Sequence, residues 1–299
     1  MNYWRTRSNR LFPLIVLLLT ACGRQISTPT ATPLIPSPTP ITFGKVDVGG
    51  YKLWHICAGQ GSPTVIVEAG SGMPGTLGWA KVFEAVKDET RICLYDRAGL
   101  SQSDKAPTPR TSKDMVKDLH TLLVNSGIIP PYILVGHSIG GLNVRVYANQ
   151  YPEEIVGMVL VDSVHPDLWS KQLAVLPPET PNDSATLKRF RSSRINFDND
   201  NAEGMDILTS AAQVRATGSL GNKPLIVLSR NPTRGLLPGL PPGVSEKLEQ
   251  VWQELQIDLL GLSSNSTHII ASKAGHSIMM DEPQLVTDAI LTVLDKLRK

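Results

Sequence analysis

Short apolar runs alternate with stretches of helical periodicity along most of this chain. Residues 44–48 and 51–57 flank Gly49-Gly50, the order of strand, glycine turn and strand that makes a hairpin. Residues 63–68 read as a buried strand, closed by the glycine-rich turn Ala69-Gly70-Ser71-Gly72. A helix over 77–86, a strand over 91–95 and an amphipathic helix over 112–125 follow, the last with Met115, Leu119, Leu122 and Leu123 on one side. Residues 131–135 are apolar and rich in β-branched side chains, 141–148 read as a helix, and 156–161 are again strand-like. Strands at 225–228 and 268–271 and helices at 245–262 and 282–297 complete the series. Strands without a polar face must be covered on both sides, so the pattern predicts an α/β fold with a mostly parallel eight-stranded sheet between two helical layers.

The alternation lapses from 163 to 222, where charge and helix formers replace strand-like runs. An insertion at one point of a regular sheet is expected to cover its functional edge, so 163–222 is predicted to be a helical lid after the sixth strand. Trp169, Phe190 and Phe197 supply its aromatic surface. Lys188, Arg189, Arg191 and Arg194 suit a solvated helix face.

The only break in composition lies near the start. Residues 1–21 carry Arg5, Arg7 and Arg10, then the apolar run 11–19, and end in Leu19-Thr20-Ala21 before Cys22. A basic segment, a short apolar segment and small residues make a secretion signal too short to span a bilayer. Leu-Thr-Ala-Cys also resembles the lipobox of bacterial lipoproteins, which implies cleavage before Cys22 and a lipid on its sulfur. The expectation is an exported protein held at a bacterial membrane. Residues 22–42, rich in Pro, Ser and Thr, predict an extended tether, with the folded domain at 43–299. The formal charge of +2 includes the three signal arginines, so no basic field remains to suggest nucleic acid.

Candidate chemistry centres on Gly136-His137-Ser138-Ile139-Gly140, a G-x-S-x-G run between a predicted strand and a predicted helix. So sharp a turn requires small residues at its ends and lifts the serine clear of the sheet, with the helix N-terminus facing any developing negative charge. A serine hydroxyl needs a base, and His276 lies just after the last predicted strand. His55, His120 and His268 fall inside predicted elements and suit packing, while the turn aims His137 away. His165, after the sixth strand, suits either packing under the lid or substrate contact.

With Glu68-Ala69-Gly70-Ser71-Gly72, Tyr95-Asp96-Arg97-Ala98-Gly99-Leu100-Ser101 and Ala274-Gly275-His276, residues 44–298 resemble the α/β-hydrolase family. The resemblance implies Ser138 as nucleophile, His276 as base, and the backbone N–H groups of Ile139 and Ser71 as oxyanion donors. Asp96 and Arg97 match a structural turn of the family and are assigned no chemistry. Most members place the acid after the seventh strand, yet no Asp or Glu occurs from Lys223 to Ser245. Some carry it after the sixth, which points here to Asp162, with Asp167 and Asp258 as weaker rivals. The fold also makes Cys57 and Cys93 residents of neighbouring strands, and an oxidising compartment would join them in a disulfide. No cysteine has metal-ligand spacing and the implied chemistry needs no cofactor. The expected activity is cleavage of a small-molecule carboxylic ester, thioester, lactone or small amide. An acyltransferase of the same fold and a tethered ligand-binding protein are the alternatives.

Overall fold

Aliphatic side chains dominate the central strands, and each run can stay extended only where both faces are covered. A computed structural model, which describes residues 40–195 and 203–298, sets them in one eight-stranded sheet. In chain order come β1 (Ile41–Asp47), β2 (Lys52–Ala58), β3 (Thr64–Glu68), the short helices α1 (Gly75–Gly78) and α2 (Ala80–Val86), and β4 (Ile92–Tyr95). Next are α3 (Ser112–Asn125), β5 (Tyr132–His137), α4 (Gly140–Gln150) and β6 (Ile155–Val161). The insertion carries α5 (Leu168–Ala174), α6 (Ala185–Ile195) and α7 (Ile207–Arg215). The chain continues through β7 (Leu225–Ser229), α8 (Val244–Asp258), β8 (Ser266–Ile270), α9 (Ile278–Asp281) and α10 (Pro283–Arg298). Strand order is β1-β2-β4-β3-β5-β6-β7-β8; β1–β2 and β2–β4 pair antiparallel, and the remaining pairs are parallel.

Alternate side chains feed two cores. Ile66, Leu134, Leu160 and Val227 pack with Leu119 and Leu122 of α3, Leu142 and Val146 of α4, and Val251 and Leu255 of α8. Val67, Val135, Val159 and Leu228 face Val82 and Val86 of α2 and Ile290 and Val293 of α10. From β3 the chain turns to β4 on one side, then returns to β5 on the other. That reversal opens a crevice at the carboxyl ends of β3 and β5, where open α/β sheets bind their ligands.

Several boundaries differ from the sequence reading. β1 begins at Ile41, paired with Ala58, because main-chain hydrogen bonding to β2 extends the hairpin past the first apolar position. Residues 163–222 are not a lid throughout. Ala211 and Val214 of α7 join the first core, and α7 packs on α3 and α4. Its apolar stripe found a groove in the body, and α5 and α6 remain above the crevice with Leu176, Leu187, Val244 and Leu248 in a small cluster of their own. The antiparallel register sets Cys57 opposite Cys93, and a disulfide joins them. Residues 1–21, Cys22 and most of the 22–42 tether lie outside the described residues, as does Phe197. Among the described residues no helix is long and apolar enough to cross a membrane.

Candidate active site

The turn from β5 into α4 holds Ser138 at φ 53°, a left-handed conformation that costs a non-glycine residue energy. Close packing maintains it. A Cβ on Gly140 would lie 2.2 Å from the Glu68 carbonyl, and one on Gly136 would lie 2.7 Å from Val144 Cγ2 and 3.0 Å from the Gly140 carbonyl. The amides of Gly141 (3.0 Å) and Val164 (2.9 Å) both donate to the Ser138 carbonyl and fix the turn from two sides.

His276 lies on the loop after β8, its Nε2 2.9 Å from Ser138 Oγ and its Nδ1 2.6 Å from Asp162 Oδ2. An ionised carboxylate only accepts, so the Nδ1 proton points at Asp162 and Nε2 is left to take the serine proton. His276 is 42% exposed, whereas the Asp162 side chain is completely buried. Asp162 stands at the end of β6 in another left-handed conformation, φ 42°, which aims its carboxylate across the sheet. Oδ1 accepts from the Arg230 amide (3.0 Å) and from Trp252 Nε1 (2.8 Å), and Oδ2 accepts from Arg230 Nη1 (3.1 Å). Burial pushes the Asp162 carboxyl up. The His276 hydrogen bond and the Arg230 charge outweigh burial and hold it below its ordinary range.

Arg230 occupies the position after β7 where an acid was expected and found missing. It stacks over Trp252, 4.2 Å from the ring centroid, and its Nε and Nη2 donate to Glu249 at the edge of the guanidinium. The strand end thus supplies a cation for Asp162 in place of a carboxylate for His276. Neither rival acid reaches the base: Asp167 pairs with Arg215, and Asp258 with His165.

On the other side of Ser138, a Cβ on Gly70 would come 3.3 Å from Ser138 Cβ and 2.7 Å from His137 Nδ1, so the loop after β3 runs directly against the elbow. Arg97, buried beneath it, donates to the carbonyls of Ala69 (2.6 Å) and Gly70 (2.7 Å). The trans geometry of the Gly70–Ser71 peptide therefore turns the Ser71 N–H away from that guanidinium. Arg97 also pairs with Glu68 and Glu203, and Glu203 accepts from the Gly72 amide at 2.8 Å. Sequence reading gave Arg97 no role. Its hydrogen bonds hold the loop that carries Ser71.

Contrary to the sequence reading, the turn does not aim His137 away from the base. Its Nε2 lies 3.0 Å from the His276 carbonyl, and the two rings are 4.8 Å apart. Burial first, and then the neighbouring His276, push its pKa down to about 3, so it stays neutral and donates from Nε2 to brace the base.

A sequence model described as the alpha/beta hydrolase fold matches residues 63–195. The chain is 32% identical over 237 residues to the uncharacterized protein YqjL of Bacillus subtilis, an alignment spanning 79% of this chain and 85% of that one. The chain belongs to the alpha/beta hydrolase family. It is also 26% identical over 282 residues to an AB hydrolase superfamily protein of Gibberella zeae, across 79% of this chain and 87% of that one. Among solved structures, a thermophilic esterase from Thermogutta terrifontis superposes with a TM-score of 0.57 at 22% identity, covering 86% of this chain and all of the other. The epoxide hydrolase CorEH gives the same TM-score at 17% identity and the same coverage. At these identities the solved structures share the fold.

The protein opens at Ser138 and His276 into a cleft of about 390 Å³, walled by Trp169, Leu236, Leu237 and Trp252. Leu236 and Leu237 come from the Pro- and Gly-rich connection between β7 and α8, which has no periodicity to mark it as a wall. Arg194, predicted on a solvated helix face, lines the same cleft. His165 is tied to Asp258 at 3.0 Å and accepts from the Asp167 amide at 3.1 Å, so it packs under the insertion. His55, His120 and His268 bond to Gly44, Glu154 and Ser229 respectively, away from Ser138. Among the described residues no group of three or more His, Cys, Asp or Glu side chains could hold a metal ion.

Proposed function

We propose that this protein is a serine hydrolase of carboxylesterase type that cleaves a small-molecule ester through an acyl-enzyme on Ser138. Thioesters, lactones and small amides fall within the same chemistry. The observation that carries this reading is the unbroken hydrogen-bonded path from Ser138 Oγ through the His276 ring to the buried Asp162 carboxylate, opening into an apolar-walled cleft. Ser138 Oγ attacks the acyl carbon while His276 Nε2 takes its proton. Asp162 holds the ring in the required tautomer and stabilises the imidazolium. The Ile139 and Ser71 N–H groups receive the oxyanion, and His276 returns the proton to the leaving alcohol. Water, activated by His276 in turn, releases the acid. The solved esterase relative is in keeping with this reading.

The N-terminal pattern adds that the enzyme is exported and anchored to a bacterial membrane through a lipid on Cys22, reached by the Pro-rich tether. The test is a panel of 4-nitrophenyl esters of graded chain length, assayed with the native protein and with Ser138→Ala. Turnover that the variant loses supports the reading; turnover unchanged in Ser138→Ala overturns it. Cys22→Ala should release the protein from the membrane fraction, and retention there would remove the anchor.

A further inference from the structure

Several arginines among the described residues pair with carboxylates: Arg97 with Glu68 and Glu203, Arg110 with Asp118, Arg191 with Asp183, and Arg215 with Asp167. Arg230 is doubly satisfied, by Asp162 and Glu249. Arg194 and Arg234 line the cleft beside Ser138, and among the described residues neither forms an ion pair. Among the described residues the contacts of Arg194 are neutral: Nε donates to Gln172 Oε1 at 2.7 Å, Nη1 lies 3.5 Å from Ser193 Oγ, and the guanidinium stands 4.5 Å above the Phe190 ring. Burial lowers the pKa of Arg194, and no acidic neighbour among the described residues offsets that pressure. A half-buried cation lining a cleft without a counter-charge is available to pair with an anionic ligand group.

Arg234 closes the turn Pro232–Arg234 after β7, and its side chain forms no ion pair among the described residues. The turn is held in place. Asn231 Oδ1 accepts from the Thr233 amide and hydroxyl at 2.9 and 2.8 Å, and Asn231 Nδ2 donates to the Ser272 carbonyl at 2.6 Å. The adjoining Gly235 packs so tightly on the Arg230–Glu249 pair that a Cβ there would sit 1.9 Å from Glu249 Oε2. Arg234 is therefore stationed beside a pair that has no charge to spare for it.

We propose that the substrate ester carries a carboxylate at the end remote from the scissile bond, and that Arg194 and Arg234 bind that carboxylate in the cleft. The inference rests on the reading of Ser138 as nucleophile and adds the substrate class. The apolar walls take the methylene body between the two ends, and guanidinium groups match a carboxylate through parallel N–H donors.

The test compares the 4-nitrophenyl monoester of glutaric acid with 4-nitrophenyl pentanoate, which matches its acyl chain and lacks the charge. The native enzyme should favour the charged ester in kcat/KM by about tenfold or more, from at least one charge-assisted hydrogen bond. That preference should shrink as salt rises, since the groups are partly exposed. Arg194→Gln and Arg234→Gln should each lower the charged-to-neutral ratio by about tenfold, and the Lys variants should restore part of it. Equal or lower kcat/KM for the charged ester in native enzyme overturns the inference and leaves the serine-hydrolase reading standing. Turnover of neither ester, with no labelling of Ser138 by a fluorophosphonate, overturns both. If Ser138 labels without ester turnover, slower labelling in the presence of glutarate than of pentanoate supports the inference, and equal rates overturn it.

Discussion

Asp162→Asn isolates the acid of the proposed triad with little disturbance of the backbone. Asn tolerates the left-handed conformation at φ 42° better than other L side chains, so the strand end should keep its shape. The amide oxygen can still accept from the Arg230 amide and Trp252 Nε1, now at 3.0 and 2.8 Å from Oδ1. The amide nitrogen must then occupy the Oδ2 position, 2.6 Å from His276 Nδ1. Two N–H groups cannot face each other, so Nδ1 gives up its proton and becomes the acceptor. The proton moves to Nε2, which then points at Ser138 and can no longer act as base. Loss of the correct tautomer together with imidazolium stabilisation should lower kcat/KM by about 10³- to 10⁴-fold, or about 4–5.5 kcal/mol of transition-state stabilisation. The assay is kcat/KM on a reactive aryl ester, paired with thermal unfolding. The Asp162 carboxyl is depressed in the folded state, so its contribution to stability is present above its ordinary value of 3.8 and lost as pH falls through the lower folded value. The variant should therefore show a shallower fall of Tm across the acid range. Activity within tenfold of native, in a variant that folds, would refute the reasoning and return Asp162 to the role of a turn residue.

Three further predictions concern the elements around the nucleophile. Arg97→Gln should cost about 3–5 kcal/mol of stability, read from urea unfolding, because Glu68 and Glu203 would remain buried without their cation. Gly70→Ala should displace the loop bearing the Ser71 amide, since the new Cβ would lie 2.7 Å from His137 Nδ1. Its kcat should fall by about 10- to 10³-fold, and unchanged kcat would deny the Ser71 amide an oxyanion role. Removing the Cys57–Cys93 disulfide, whose partners are 36 residues apart, should lower stability by about 2–4 kcal/mol. The matching observation is a Tm lower by about 5–15 °C in the double Ala variant, with activity retained below the transition.

Much of this arrangement was legible in the chain because local pattern encodes it. Aliphatic runs such as Ile133–Val135 announce strands buried on both faces, and Gly136 and Gly140 announce the turn that displays Ser138. The family resemblance, together with the absence of acids between Lys223 and Ser245 and Asp162 closing the sixth strand, pointed to the carboxylate that lies against His276. What escaped depends on contacts between distant residues. Trp252 donates to Asp162 from 90 positions away, in a helix whose periodicity marks it as a core residue. Glu203 reaches Arg97 across 106 positions. Arg194 belongs to a charged helix that resembles a solvated face until α6 settles above the crevice. The 231–243 connection carries no periodicity, so nothing in its order of residues marks Leu236 and Leu237 as walls. Helix α7 departed from the expected lid because Ala211 and Val214 matched a groove between α3 and α4, a complementarity that exists only after folding.

The central claim, that Ser138 is an activated nucleophile, is tested most directly by reaction with a fluorophosphonate followed by peptide mass mapping. Phosphonylation should be stoichiometric and confined to the peptide bearing Ser138, slowed by orders of magnitude in His276→Ala and absent in Ser138→Ala. Native folded protein that stays unlabelled, or an adduct on any other residue, would contradict it.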